Sequence, residues 1–281
     1  MNIYSLETLI DLWFKEDIGE GDHTTLSTVP EGIQGKAKLI AKEHGTLAGV
    51  KIAKLIFNRF DKSLVATTFI NDGDEISAGD CVFVVEGSAQ SILQSERLIL
   101  NVMQRMSGIA TETARYVKEL EGTGTLVLDT RKTTPGFRHM EKEAVRIGGG
   151  VNHRIGLYDM ILIKDNHIDF AGGILNAIES TVSYLERNKQ NLKIEVEVRS
   201  IADIEKVLST GKVSRILLDN FTIPQTKEAV KLIGGRVETE SSGGITFRTL
   251  REYALCGVDY ISVGALTHHI KSLDLSLIAE I

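Results

Sequence analysis

The chain has 281 residues, of which 42% are hydrophobic and 25% charged, with a formal net charge of -6 and a pI near 5.7. That length holds either one large barrel-type domain or two smaller ones, each with a sizeable core. The acidic balance excludes nucleic acid or an anionic membrane as the main partner, because both require a broad basic surface. Any anion binding must therefore be local.

No run of roughly 18 apolar residues is available to span a bilayer, and Met1 to Asp22 lacks a basic start followed by an apolar block. A cytoplasmic protein is expected. Cys81 and Cys256 have no Cys or His neighbour at metal spacing and read as buried, inert thiols.

In chain order, Leu6, Leu9, Ile10, Trp13 and Phe14 fall at helical spacing between Ser5 and Lys15, ahead of a Gly-Glu-Gly-Asp break at Gly19 to Asp22. Strands are predicted near Lys36 to Lys42, Leu64 to Ile70 and Cys81 to Glu86, with a helix over Val50 to Phe60. The stretch from Asn71 to Gly87 has the rhythm of lipoyl and biotinyl carriers. No lysine lies between Ser63 and Arg97, so the attachment point is missing and two strands joined by a glycine turn are expected. A long helical run from Ile92 to Leu120 carries Glu96, Arg97, Asn101, Arg105 and Ser107-Gly108.

After Gly124 short apolar strands alternate with amphipathic helices. The strands are Leu126 to Leu128, Met160 to Ile163, Ile194 to Val198, Ile216 to Leu218, Val237 to Glu240 and Tyr260 to Val263. Helices are predicted at Ile174 to Arg187, Ile201 to Ser209, Pro224 to Ile233 and Phe247 to Cys256. This alternation implies parallel strands with crossover helices. The fold class is α/β: an N-terminal mixed α/β sandwich domain over residues 1–110 and an incomplete parallel β/α barrel over residues 111–281.

Nearly every barrel strand finishes in residues that a core could not tolerate: Asp129 to Lys132, Lys164 to His167, Glu195 and Glu197, Asp219-Asn220, Glu240 to Gly244, and Ser262 to Gly264. In a parallel barrel these carboxyl ends converge on one face, where active sites of that fold lie. Asp219-Asn220 also suits a helix cap. Ser241 to Gly244 and Val263 to Ala265 place small residues where backbone N–H groups can approach phosphate. Arg131, Lys132 and Lys164 abut strand ends, so their charge can point into a cleft, whereas Lys142 and Arg146 match a solvated helix face. A ligand with several negative charges is implied.

Serine-hydrolase elbow, P-loop and dinucleotide fingerprint are all missing. His153 and His167 are not at i, i+4 spacing and lack an evident third ligand, so no resident metal is expected.

Glu96-Arg97 with Asn101, Ser107 to Thr111, Asp129 to Gly136, Gly148 to Arg154, Leu162 to Ile168, Glu195-Val-Glu197, Asp219-Asn-Phe221, Glu240 to Ile245 and Ser262 to His268 together resemble, in order and spacing, the quinolinate phosphoribosyltransferase family. The likeness runs the length of the chain and includes Glu16 to Asp22. It implies a pentosyltransferase that joins quinolinate to 5-phosphoribosyl 1-pyrophosphate, giving nicotinate mononucleotide, pyrophosphate and carbon dioxide in NAD synthesis.

The resemblance further implies that Glu197 and Asp219 face the ribose hydroxyls and its developing positive charge. Lys132 and Lys164 meet pyrophosphate or its magnesium complex, Mg2+ arriving with the donor. Ser242, Gly243, Gly244, Ser262, Val263 and Gly264 cradle phosphate, assisted by His268, and Thr130 lies among the binding residues. Arg131, His153 and Arg154 bind the two carboxylates, with Arg97 supplied from a neighbouring subunit of a homodimer or larger assembly. A sibling transferase for another heterocyclic acid has the same phosphoribosyl half, but three cations suit two carboxylates better than one. A non-catalytic sensor barrel leaves Lys132, Lys164, Glu197 and Asp219 without a joint purpose.

Overall fold

The computed structural model describes residues 5–280; residues 1–4 and 281 lie outside the described residues. The chain divides into two compact units. The first comprises residues 1–114, 134–149 and 268–281, and the second residues 115–133 and 150–267.

In chain order the elements are α1 (Leu6–Ile18), α2 (His23–Thr28), β1 (Gln34–Ala41), β2 (Gly45–Thr46), α3 (Val50–Phe60), β3 (Val65–Thr68), β4 (Glu75–Ile76), β5 (Cys81–Ser88) and α4 (Ala89–Glu119). They continue with β6 (Leu126–Leu128), α5 (Arg138–Ile147), β7 (Ile161–Ile163), α6 (Asp165–Phe170), α7 (Ile174–Arg187), β8 (Ile194–Val198), α8 (Ile201–Thr210), β9 (Arg215–Asp219), α9 (Ile223–Ile233), β10 (Glu238–Ser242), α10 (Leu250–Ala254), β11 (Tyr260–Ser262), α11 (Ala265–His268) and β12 (Leu275–Glu280).

The first unit is built on an antiparallel sheet of order β12-β1-β5-β3. Alternation in β1 buries Ala37, Leu39 and Ala41. From α3 the buried Ile56 and Phe57 join them, with the Phe57 and Phe83 rings meeting edge-on at 5.8 Å between centroids. Ile99, Met103 and Met106 of α4 are also fully buried. Gly108 explains one sequence motif: a Cβ there would lie 2.3 Å from the Lys271 carbonyl oxygen, so only glycine lets the segment leading to β12 pass.

Two expectations are corrected in this unit. Lys142 is buried at 3% exposure rather than solvated, because its helix α5 packs inward, with buried Glu141 accepting from Arg105 of α4 at 2.9 Å. Arg146 does face water and pairs with Glu143. Cys81 is half-buried rather than buried, since it opens β5 directly after the Ser77–Asp80 turn, while Cys256 is buried; both are free thiols whose pKa burial pushes up.

The second unit is a six-stranded parallel sheet of order β6-β11-β10-β9-β8-β7. From β7 to β11 sequence neighbours pair, and β6 closes onto β11, so the order is that of a barrel left open between β6 and β7. Each strand is followed by helix or loop that returns to the next, as parallel pairing requires. Val196, Val198, Ile216 and Leu218 are buried on the strand face that helices cover, as are Ile204, Val207, Ala229 and Ile233 of α8 and α9. The helix expected from Phe247 to Cys256 is only α10, five residues long. Its expected first turn is instead held open, with the Phe247 ring against Tyr116 at 5.2 Å and under the Arg115 guanidinium at 3.8 Å.

Candidate active site

Alternation along the barrel strands puts Glu195 and Glu197 of β8 on one face, with Arg215 and Asp219 of β9 and Glu238, Glu240 and Ser242 of β10. The register pairs Arg215 with Glu195 and Glu238, and Asp219 with Ser242. The polar residues thus form two layers, a deep one around Glu195, Arg215 and Glu240, and an upper one at the carboxyl ends of the strands.

In the upper layer the Lys164 Nζ donates to Glu197 Oε2 at 2.7 Å; the Glu197 side chain is 7% exposed and that of Lys164 46%. Burial, then the charge of Glu197, raises the pKa of Asp219, against the Asn220 amide and Lys164. Two partly desolvated carboxylates therefore lie in the field of one ammonium, which bonds to Glu197. Such a pocket favours a developing cation, because protein dipoles and charges act strongly where water is excluded.

Beside them, β10 ends in Ser242 and runs into Gly243 and Gly244, both at positive φ. Ser262 and Val263 are buried, and Gly264 immediately precedes α11. Thr267 Oγ1 donates to the Lys132 carbonyl at 2.8 Å, tying the loop after β6 to that after β11. Thr130 Oγ1 accepts from the Lys132 amide at 3.0 Å, which turns the chain so that Arg131 and Lys132 are exposed.

Arg154 is half-buried, with Nη1 donating to the Met160 carbonyl at 3.2 Å. Burial, and then repulsion from Arg131, lowers its pKa, which places these two guanidinium groups within each other's field. The His153 amide donates to Asp129 Oδ1 at 2.8 Å, and the ring Nδ1 accepts from the Arg154 amide at 2.7 Å. Its Nε2 lies 3.1 Å from Glu195 Oε2 and 3.4 Å from Glu240 Oε2. Both ring nitrogens thus have partners within the unit.

This deep cluster is unusual in its charge. Burial lowers the pKa of His153, but hydrogen bonds and charge from Glu195 and Glu240 outweigh it and carry it up to about 9. Burial, then the charge of Glu240, raises Glu195 to about 7, while His153 holds Glu240 below the usual carboxylate range despite its burial. The Arg154 amide on Nδ1 opposes a second ring proton. With that amide in place the ring carries one proton, on Nε2 towards Glu195 and Glu240, and the three groups titrate as a unit. Arg215 Nη1 donates to Glu240 Oε2 at 3.1 Å and compensates further charge. The ligand atoms of His153, Glu195 and Glu240 lie within 4.8 Å of one another, a spacing that a cation could also bridge.

Of the residues singled out in the sequence, Thr130, Arg131, Lys132, His153, Arg154, Lys164, Glu197, Asp219, Ser242, Gly243, Gly244, Ser262, Val263 and Gly264 belong to the second unit. Arg97 and His268 belong to the first. Arg97 is exposed, with no carboxylate within ion-pair distance among the described residues, and His268 is exposed with its ring on His269. His167 holds the start of α6, its Nδ1 accepting from the Lys164 amide at 2.9 Å. Sequence reasoning passed over Glu195, Arg215, Glu240 and Asn220 as site residues. The period of two was the available signal, since Glu195 and Glu240 each lie two residues before a residue already chosen.

Comparison with known proteins places these features in a family. Residues 109–278 match the family model for the quinolinate phosphoribosyl transferase C-terminal domain, and residues 22–107 match that for the N-terminal domain. The chain is 46% identical to quinolinate phosphoribosyltransferase [decarboxylating] 1b of Nicotiana tabacum, over 98% of this chain and 82% of that one. It is 40% identical to a probable nicotinate-nucleotide pyrophosphorylase [carboxylating] of Bacillus subtilis, over 99% and 94%. The crystal structure of NadC from Streptococcus pyogenes superposes with a TM-score of 0.91 at 40% identity, covering 97% of this chain and 96% of that one. With both halves matched and full-length relatives well above 30% identity, the chain belongs to the quinolinate phosphoribosyltransferase family.

Proposed function

We propose that this chain transfers the phosphoribosyl group of 5-phosphoribosyl 1-pyrophosphate to quinolinate with decarboxylation, giving nicotinate mononucleotide, pyrophosphate and carbon dioxide for NAD synthesis. The observation that carries the reading is the Lys164–Glu197–Asp219 arrangement at the ends of adjacent parallel strands. It offers one cation and two partly buried carboxylates to a reaction that separates an anionic leaving group from a cationic ribose.

The pyridine nitrogen is itself the nucleophile. Its lone pair forms the bond to the ribose anomeric carbon as the bond to pyrophosphate breaks, and the leaving oxygen keeps that bond's electrons. Glu197 and Asp219 stabilise positive charge at the anomeric carbon, whereas Lys132 and Lys164 stabilise pyrophosphate. Mg2+ enters as part of the donor substrate, held by few direct protein contacts. Ser242, Gly243, Gly244, Ser262, Val263 and Gly264 line the donor phosphate, with His268 assisting.

Arg131, His153 and Arg154 hold the carboxylates, the His153 Nδ1 also accepting from the Arg154 amide. Once the nitrogen is quaternary, the bond from C2 to its carboxylate breaks and carbon dioxide leaves, the electron pair stays on C2 beside the positive nitrogen that stabilises it, and C2 uses that pair to take a proton from water. The cations must release the 2-carboxylate before this step, because a salt bridge favours the charged ground state. The proposal includes cytoplasmic residence and a homodimer or larger assembly in which Arg97 completes a partner's site. Arg97's exposure without an ion-pair partner among the described residues supports that assignment. Mixing the protein with quinolinate, donor and Mg2+ tests the reaction: pyrophosphate and mononucleotide must appear together, and neither without donor.

A further inference from the structure

The Asp219-Asn220 pair has the composition of a helix cap, yet the N-cap of α9 is Thr222, whose amide donates to Gln225 Oε1 at 2.9 Å. Asn220 is engaged elsewhere. With φ at 54° it is one of two non-glycine residues in the left-handed region among the described residues, a conformation that Asn tolerates better than most side chains. Its backbone amide donates to the Ser242 carbonyl at 2.9 Å. Its Nδ2 donates to Asp219 Oδ2 at 2.7 Å. The same side chain presses on the next turn: a Cβ at Gly243 would sit 2.3 Å from Asn220 Oδ1 and 2.8 Å from Asn220 N. Gly243 is itself at φ 89°, so this position requires glycine on two counts.

We infer that Asn220 is a positioning residue for phosphoribosyl transfer, one side chain that fixes the Asp219 carboxylate and the Ser242-Gly243 turn in a single relation. This rests on the roles given above to Asp219 and to the Ser242–Gly244 backbone. The ribose-facing charge and the phosphate-facing N–H groups come from different strands, β9 and β10, and otherwise meet only through the sheet ladder. A carboxylate whose second oxygen is held by the Asn220 amide presents its first oxygen in a fixed direction. A glycine turn packed against that amide cannot shift without moving the carboxylate. Such pre-organisation matters most in the transition state, when charge develops at the anomeric carbon.

Asn220→Gly keeps the left-handed backbone and removes the amide, and Asn220→Asp keeps the shape but replaces the donor with a carboxylate. For both variants the expected result is a loss of about tenfold or more in kcat and a several-fold rise in KM for the donor, with KM for quinolinate within about twofold of wild type. The acid limb of the kcat profile should move to higher pH. The groups facing Asp219 are Glu197, Lys164, Asp165 and Asn220, and removing the Asn220 amide removes one of the two influences that oppose its raised pKa. Thermal unfolding of each variant is measured alongside. Wild-type kcat, donor KM and pH profile in either folded variant overturn the inference. So does an equal loss in both KM values that follows a fallen melting temperature, because a merely structural residue does that. An inactive wild-type protein, by contrast, overturns the proposed reaction and this inference with it.

Discussion

Lys164 and Glu197 project from neighbouring parallel strands β7 and β8 and meet at 2.7 Å, the ammonium half exposed and the carboxylate nearly buried. The cation assigned to the departing pyrophosphate is thus the partner of a carboxylate assigned to the ribose. On the proposed roles, pyrophosphate would compete with Glu197 for the ammonium as the anomeric carbon becomes cationic.

Glu197→Gln and Asp219→Asn are therefore expected to lower kcat by roughly 100-fold to 1000-fold while changing the donor KM far less. Steady-state kinetics at saturating quinolinate measure both. An unchanged kcat with a raised KM would assign these residues to binding alone.

Quinolinate is expected to be used and nicotinate not. Arg154 is half-buried and lies in the field of Arg131, so an acid lacking the 2-carboxylate leaves cationic charge uncompensated. The loss is about 3 kcal/mol, or roughly 100-fold in kcat/KM. Turnover of the two acids at comparable rates contradicts this.

The deep cluster sets a pH dependence of stability. Glu195, raised from 4.5 to about 7, contributes stability that is lost as pH rises between 4.5 and about 7. The folded state there binds more protons than the unfolded one, so stability falls as pH rises. The melting temperature of the protein should decline from pH 5 to 7, and Glu195→Gln should flatten that decline. A profile in Glu195→Gln parallel to wild type between pH 5 and 7 contradicts the assignment.

The strand-helix alternation after Gly124 and the polar strand ends were legible in the sequence because periodicity records which face is buried. β6 to β11 and α7 to α9 lie where those patterns place them, within a few residues. The inner polar layer was legible only in part. Glu195 and Glu240 stand out in the sequence as polar residues near strand ends, but Arg215 between them does not, and only the pairing of three strands brings the three together. The pairing of β12 with β1 was hidden for a similar reason, since residues more than 200 positions apart carry no local signal. Lys142 misled because a long aliphatic stem allows a lysine to be covered on an otherwise polar helix.

Arg97 is expected to act in trans. Arg97→Ala and Lys132→Ala proteins, each inactive alone, should regain part of the wild-type activity when their subunits are mixed and exchanged, because both defects can fall in one site and leave another intact. If exchange is confirmed and activity stays at the level of the parents, Arg97 does not complete a neighbour's site.

The central claim is tested most directly with quinolinate labelled at the 2-carboxylate. With purified protein, the phosphoribosyl donor and Mg2+, labelled carbon dioxide should be released in equal amount to pyrophosphate, and only when the donor is present. Pyrophosphate formed without labelled carbon dioxide, or no release at all from folded protein, would contradict the account.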